Sequence, residues 1–267
     1  MSTPIVREQS STFLPVQFRP PHAQPVLGDL WTATTWGFED SIPRWLSGGV
    51  QVRTENYGTA SSVGIWEVDD PFCGDPGDQV KTGTPPVDGD PWPPTVVWGF
   101  AEQCDPFEPV PDVRRRAEHN LMVQRQRLVE EQFAGQAVER APTLAVLTAS
   151  GCVRGCAFVD AVAALDAAIA DTMVPAYVVA PVTAMAAARA TDQIVDRSPV
   201  RCTPLGNRWV FCPGGDPDVL VAVSQPFGWS SPLRVETAVD DDSGLTVAVA
   251  EQTFVVGVEQ VIGKVRL

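Results

Sequence analysis

Lysine is almost missing from this chain. Lys81 and Lys264 are the only two in 267 residues, so positive charge rests on arginine, whose planar guanidinium grips carboxylates in a rigid two-point fork. Histidine is as scarce, at His22 and His119. A Ser-His-Asp or Cys-His catalytic unit needs a buried, oriented imidazole. His22 falls in a proline-rich stretch and His119 on the exposed side of a predicted helix, so neither suits that work. The charge balance is acidic, with a net charge of −14. That argues against a protein whose main task is gripping nucleic-acid phosphates, which carries a basic footprint. No run approaches ~18 consecutive apolar residues, so no membrane-spanning helix is predicted. Met1–Ser10 also lacks the apolar core of a secretory signal, which predicts synthesis in the cytosol.

In that compartment the six cysteines (73, 104, 152, 156, 202 and 212) are expected to be made as free thiols. The spacing of Cys152 and Cys156 could chelate zinc. A structural zinc site, however, takes four ligands in paired clusters, and the second pair, Cys202 and Cys212, has nine residues between its members, which makes the zinc signal weak. Buried thiols are the alternative. Cys73 and Cys104 flank a Pro/Gly-rich loop and are either free or joined after release. Gly214-Gly215 precedes Asp216-Pro217 rather than a Lys or a helix start, so it is a turn and not a phosphate-binding loop. Asp240-Asp241-Asp242-Ser-Gly lacks the alternating ligands and terminal Glu of a calcium loop, and predicts a hairpin tip. No catalytic residue, metal or cofactor is assigned, and the chain is not expected to be an enzyme.

What the chain does have is proline, 25 in all, and tryptophan, 8 in all, both distributed unevenly. Residues 1–30 carry Pro4, Pro15, Pro20, Pro21 and Pro25, which predicts an extended arm. That arm holds Phe13, Leu14, Val16 and Phe18, apolar side chains that could be buried on another subunit. Val50–Thr54 alternates as a strand should, and Asn56-Tyr57-Gly58 marks a turn within a hairpin over roughly 49–100. Residues 69–111 are loaded with Pro, Gly and Asp around a short strand at Thr95–Trp98.

The texture then changes. Residues 112–134 contain neither Pro nor Gly and predict a helix of roughly 34 Å, capped by Asp112 and leaving at Gly135. Pro109 and Pro111 are expected to bar an earlier start. Val113, Ala117, Leu121, Leu128 and Phe133 form its apolar stripe. Arg114, Arg115 and Arg116, with Arg125 and Arg127, make it basic. These arginines either pair with a neighbour's Asp69, Asp70, Asp75 or Asp78 or form a solvated face. Further on, the pattern predicts a helix at 158–173, a buried strand at 177–182, and a helix at 184–190 capped by Thr183. Strands are predicted at 208–212, 219–223, 233–239, 245–250 and 253–258.

The stretch 160–214 is the most specific. A helix (Ala163-Ala-Leu-Asp-Ala-Ala-Ile-Ala) leads to Val178-Val179-Ala180-Pro181, then Thr183-Ala-Met-Ala-Ala-Ala-Arg, then Thr203-Pro-Leu-Gly206-Asn207-Arg-Trp-Val-Phe. This pattern and the order of all the parts resemble the capsid fold of tailed bacteriophages, which encapsulins share. The closing segment Val247-Ala-Val-Ala-Glu-Gln-Thr-Phe-Val-Val-Gly-Val resembles actinobacteriophage capsid proteins. The resemblance implies an α+β fold: an N-terminal arm (1–48), an extended β-hairpin loop (49–110), a peripheral domain with the long spine helix (111–150), an axial domain (151–245), and a return to the peripheral domain (246–267). The Pro/Asp-rich segment at 69–111 departs from the family.

The implied function is a structural shell protein forming the pentamers and hexamers of an icosahedral capsid around double-stranded DNA. It would be assembled in the host cytoplasm and located in the virion capsid. The partners implied are other copies of the chain, scaffolding, portal and cement proteins, and packaged DNA without sequence preference, with no membrane. A shell also accounts for the low charged fraction of 19%, since neighbouring subunits cover much of the surface, although a GC-rich genome gives the same composition. Subunit contacts fall to Phe13, Phe18, Trp45, Trp66, Arg114, Arg115 and Arg116. Some family members crosslink a loop Lys to a neighbour's Asn. Lys81 and Asn207 are the candidates here, with no identifiable acidic catalyst. Two alternatives remain: an encapsulin-like compartment shell, and a small oligomeric enzyme with an unrecognised site.

Overall fold

The computed structural model describes residues 29–38, 48–57, 62–64, 83–104, 107–146, 156–241 and 244–267. In chain order its elements are α1 (Asp29–Ala33), β1 (Thr35–Phe38), β2 (Thr95–Glu102), α2 (Val110–Arg140), α3 (Cys156–Thr172), β3 (Tyr177–Pro181), α4 (Ala184–Ala190), β4 (Val195–Arg197), β5 (Val200–Cys202), β6 (Arg208–Cys212), β7 (Val219–Val223), β8 (Pro226–Ser230), β9 (Arg234–Val239), β10 (Thr246–Val258) and β11 (Val261–Arg266).

The strands form two sheets. A five-stranded sheet runs β1-β8-β10-β2, with β9 also on β10, and a six-stranded sheet runs β11-β7-β3-β6-β5-β4. β10 organises the first. One edge pairs with β2, from Val247↔Glu102 to Phe254↔Thr95, while β9 and then β8 share the other edge. The two strands expected at 245–250 and 253–258 are therefore one. Glu251 and Gln252, which fall between the two expected strands, keep the alternation. Glu251 is exposed, while Gln252 is buried and donates from Nε2 to the Ser231 carbonyl at 2.8 Å.

α2 is longer than the sequence predicts. Pro111 lies in the first turn, where its missing N–H costs nothing, so the helix begins at Val110. Asp112 makes no cap bond and instead pairs with Arg115 at 3.0 Å. The helix passes through Gly135 and ends at Arg140, ahead of Pro142, for roughly 46 Å at 31 residues. Val113, Ala117, Leu121 and Phe133 are buried as expected. Val129 takes the core position expected of Leu128, which is only half-buried. α2 lies across the inward side of β2, whose Val97 and Ala101 are buried. A Cβ on Gly99 would come within 2.5 Å of the Ala117 carbonyl and the Leu121 nitrogen. Gly99→Ala is thus expected to push helix and strand apart at a cost of roughly 1–3 kcal/mol, measurable as a lowered denaturation midpoint.

The six-stranded sheet is covered by α3, which buries Phe158, Val162, Leu165 and Ile169 against it. β7 is buried at every residue, which its unbroken Val-Leu-Val-Ala-Val run predicts. Thr183 stands before α4 without a side-chain cap bond. The sequence boundary at 245 is not a sheet boundary. β8 and β9 belong with β10, whereas β11 crosses back to pair with β7.

The expected hairpin over 49–100 is held differently from a regular ladder. Only Val50↔Trp92 forms a bridge between its described arms, with side-chain bonds beyond it: Gln51 Nε2 to the Gly89 carbonyl (2.9 Å) and Thr54 N to Asp88 Oδ1 (2.8 Å). The reason lies in the returning arm, where Pro85, Pro86, Pro91, Pro93 and Pro94 have no N–H to donate.

Candidate assembly surfaces

Among the described residues no three His, Cys, Asp or Glu side chains gather as metal ligands, and no described helix is long and apolar enough to cross a membrane. His119 is half-buried on α2, and His22, Cys73 and Cys152 lie outside the described residues. Cys104 is exposed and free, whereas Cys202 and Cys212 are buried free thiols. Burial, with the Glu130 and Asp29 carboxylates nearby, pushes the Cys212 thiol well above its ordinary range. A thiol so held is a poor nucleophile. Gly214 and Gly215 both take φ +83 in the β6–β7 turn, where a Cβ on Gly214 would strike the Glu131 side chain of α2 at 2.5 Å. Asp240 and Gly244 close the β9–β10 turn through Gly244 N to the Asp240 carbonyl at 2.8 Å.

The chemistry of this structure is the chemistry of joints. α1 is the first. Asp29 receives Arg201 Nη2 on both oxygens (2.7 and 2.9 Å) and the Phe211 N–H at 3.2 Å. Thr32 Oγ1 accepts from Arg208 (3.1 Å), and the Ala33 carbonyl accepts from Gln225 Nε2 (2.7 Å). On the other side, the Trp31 N–H donates to Glu130 of α2 at 3.2 Å, and the Trp31 and Trp36 rings pack on Phe254 of β10. Five residues thus tie α2 to both sheets. Glu130 is 2% exposed, and burial, opposed by the Trp31 and Leu30 N–H groups, pushes its carboxyl up to about 7.

The base of the extended loop is the second joint. Trp92 stacks on Phe133 of α2 (5.7 Å between centroids) and donates from Nε1 to the Val258 carbonyl at 3.1 Å. The Arg140 guanidinium lies 4.2 Å from the Trp92 ring centroid and donates to the Asp90 and Pro91 carbonyls, both at 2.7 Å. Beyond it Glu259 gathers the outgoing arm. Its carboxylate accepts from the Glu55 N–H at 2.6 Å, from Asn56 Nδ2 at 2.8 Å, and from the Asn56 N–H. Partial burial alone would raise this carboxyl. The bonds from Asn56, Glu55 and Tyr57 outweigh it and hold the group below its ordinary range.

Of the residues expected at subunit contacts, Phe13, Phe18, Trp45 and Trp66 lie outside the described residues, as do Lys81 and the Asp69–Asp78 loop. Arg116 is engaged within its own chain, bonded to the buried Glu108 carboxylate and to the Glu102 carbonyl. Arg114 and Arg115 are exposed, the first reaching the Val235 carbonyl at 3.4 Å. Asn207 donates to the buried Asp166 at 2.7 Å, beside Thr203 at 2.9 Å, so the Thr-x-x-Gly stretch is a pinned turn. One surface was missed. On the outer side of β2, Val96, Trp98 and Phe100 are 45–62% exposed in a row. The alternation that marks them was visible only as far as Trp98, because the strand was expected to stop there.

No protein-family model matches this chain, and no curated protein matches its sequence. Solved structures do match. The capsid of a native GTA particle superposes with a TM-score of 0.52 at 13% identity, covering 100% of this chain and 98% of that one. A structure from Mycobacterium phage Adephagia gives 0.50 at 11% identity, covering 99% and 98%. At such identities the likeness is one of fold, and the fold it establishes for this α+β chain is the tailed-phage capsid fold.

Proposed function

We propose that the chain is a shell protein, forming the pentamers and hexamers of an icosahedral capsid that encloses double-stranded DNA. The observation that carries this reading is the end-to-end coverage of the capsid from a GTA particle, with neither chain left with a large unmatched part. In this reading α2 with the five-stranded sheet is the peripheral domain, the six-stranded sheet with α3 and α4 is the axial domain, and residues 49–94 reach toward neighbours. The shell would be the virion capsid, assembled in the host cytoplasm. Scaffolding, portal and cement proteins would meet the same chain. An acidic protein would touch packaged DNA only without sequence preference. No catalytic role is assigned.

Expressed alone and with its neighbouring genes, the protein is expected to give closed shells or capsomer rings on the order of tens of nanometres in negative-stain microscopy and light scattering, as a symmetric assembly of many ~10% surface patches requires. A monodisperse monomer or dimer under all those conditions would overturn the proposal. Phe13, Phe18, Trp45, Trp66, Arg114 and Arg115 are proposed contact residues, with Arg116 holding the β2–α2 joint. Arg114→Glu with Arg115→Glu is therefore expected to reduce particle yield while leaving the denaturation midpoint of the unassembled chain within about 0.5 kcal/mol of the parent. Arg116→Ala is expected to lower that midpoint.

A further inference from the structure

The Val96–Trp98–Phe100 row has an edge as well as a face. Among the described residues β2 pairs on one side only, and Gln103 N donates to the Thr246 carbonyl at 2.8 Å in the β2–β10 register. The odd-numbered residues of β2 therefore bond to β10, and the N–H and C=O groups of Val96, Trp98, Phe100 and Glu102 point to the free edge. Two of those carbonyls are already capped by α2, Phe100 by Asn120 Nδ2 (2.9 Å) and Glu102 by Arg116. The open part of the edge is thus at Val96 and Trp98, beneath an apolar row flanked by Val249 of β10 and by Glu102, Glu236 and Glu251, the last standing opposite Arg234 of β9.

The chain carries a sequence of matching period. Leu14, Val16 and Phe18 recur at every second residue, followed by Arg19, within the 28 residues that precede the described part. With these three facing β2, Pro15 falls where the N–H points away from the ladder, the position at which a strand tolerates proline. α1, where that segment enters the fold, is anchored through Trp31 on the α2 side of the five-stranded sheet, the face opposite the row. We infer that residues 14–18 of a second copy add to the open edge of β2 and cover Val96, Trp98 and Phe100. This is strand addition, in which main-chain bonds give affinity and alternate side chains give specificity. The inference rests on the shell reading, because it needs a second copy within reach.

The test pairs a Val16→Cys chain with a Val96→Cys chain, both carrying Cys104→Ser, and treats co-assembled material with a bis-maleimide spanning ~8 Å, the reach of diagonal cross-strand neighbours. A crosslinked dimer that neither variant gives alone is the expected result. A chain carrying both cysteines should then give a ladder of higher multiples. Adding Trp98→Asp should cut the yield by on the order of tenfold, for a loss of about 1.4 kcal/mol. Normal shells without the crosslink would overturn the inference and leave the shell reading standing. An internally crosslinked monomer from the double variant would also overturn it, placing the segment on its own copy. Absence of both shells and crosslink would remove the two together.

Discussion

Trp92→Ala is expected to lower stability by roughly 3–5 kcal/mol, the usual cost of emptying a large aromatic site in a core. The ring is 3% exposed and joins three parts of the molecule at once. Its stack on Phe133 holds α2, its indole N–H holds the end of β10, and its backbone pairs with Val50 at the mouth of the extended loop. The loss also strands a cation. Arg140 keeps the Asp90 and Pro91 carbonyls but loses the ring beneath its guanidinium, a contact worth about 0.5–2 kcal/mol. Urea denaturation should show the midpoint falling. Limited proteolysis of the same variant should cut first between residues 51 and 91, since the arms have little ladder to hold them once the base is gone. Cleavage confined to other segments would show that the loop is fixed elsewhere.

Glu130→Gln is expected to stabilise the chain at pH 8 and do almost nothing at pH 4. The folded carboxyl titrates at about 7 against 4.5 for the free group, because burial, with the Asp29 carboxylate nearby, outweighs the bonds from the Trp31 and Leu30 N–H groups. Since the folded value is the higher one, its contribution is fully present below pH 4.5 and is lost as pH rises through 7. That loss amounts to about 3 kcal/mol at ~1.4 kcal/mol per pH unit. Glutamine keeps the oxygen that accepts from the Trp31 N–H and never ionises. Glu259 works in the opposite direction. Its folded value is depressed, so its hold on Asn56 weakens as pH falls through that value. Denaturation midpoints of parent and Glu130→Gln chains, compared at pH 4, 6 and 8, should converge in acid and separate in base. A constant offset across that range would show that Glu130 does not titrate between folded and unfolded states.

The parts of this molecule set by local pattern were legible in its sequence. α3, β3, α4, β6 and β7 fall within a residue or two of expectation, because their apolar runs are bounded by Pro, Gly or a cap. Tertiary contacts decided the rest. Pro-Phe-Gly-Trp-Ser is too broken a run to predict β8, yet Gly228 is what lets Trp36 of β1 lie on the sheet, where a Cβ would meet its ring at 2.6 Å. Gly263 does the same for β11 beneath Leu144. Glu130 was invisible for a different reason. It sits in the polar run Glu130-Glu131-Gln132, where only the docking of α1, about a hundred residues earlier in the chain, separates a buried acid from a solvated one. The proposed assembly surface was half legible. The arm's apolar residues could be seen, but the row that would receive them needs the register of β2 on β10.

The order of strands sets a schedule for synthesis. β1 pairs with β8 across some 190 residues, and β11, which follows every other strand, forms the edge next to β7. Neither sheet can close while the ribosome is still making residues 226–266. Long-range pairings of this kind form slowly. A nascent chain therefore holds its Trp31–Trp36 pair without Phe254, and β7 paired on its β3 side alone, until synthesis is nearly done. A chain interrupted before β11 has an unpaired edge on a fully apolar strand, the feature that drives strands to aggregate. Chains that stop short are thus expected to leave the soluble pool on their own, before they could be built into any larger structure.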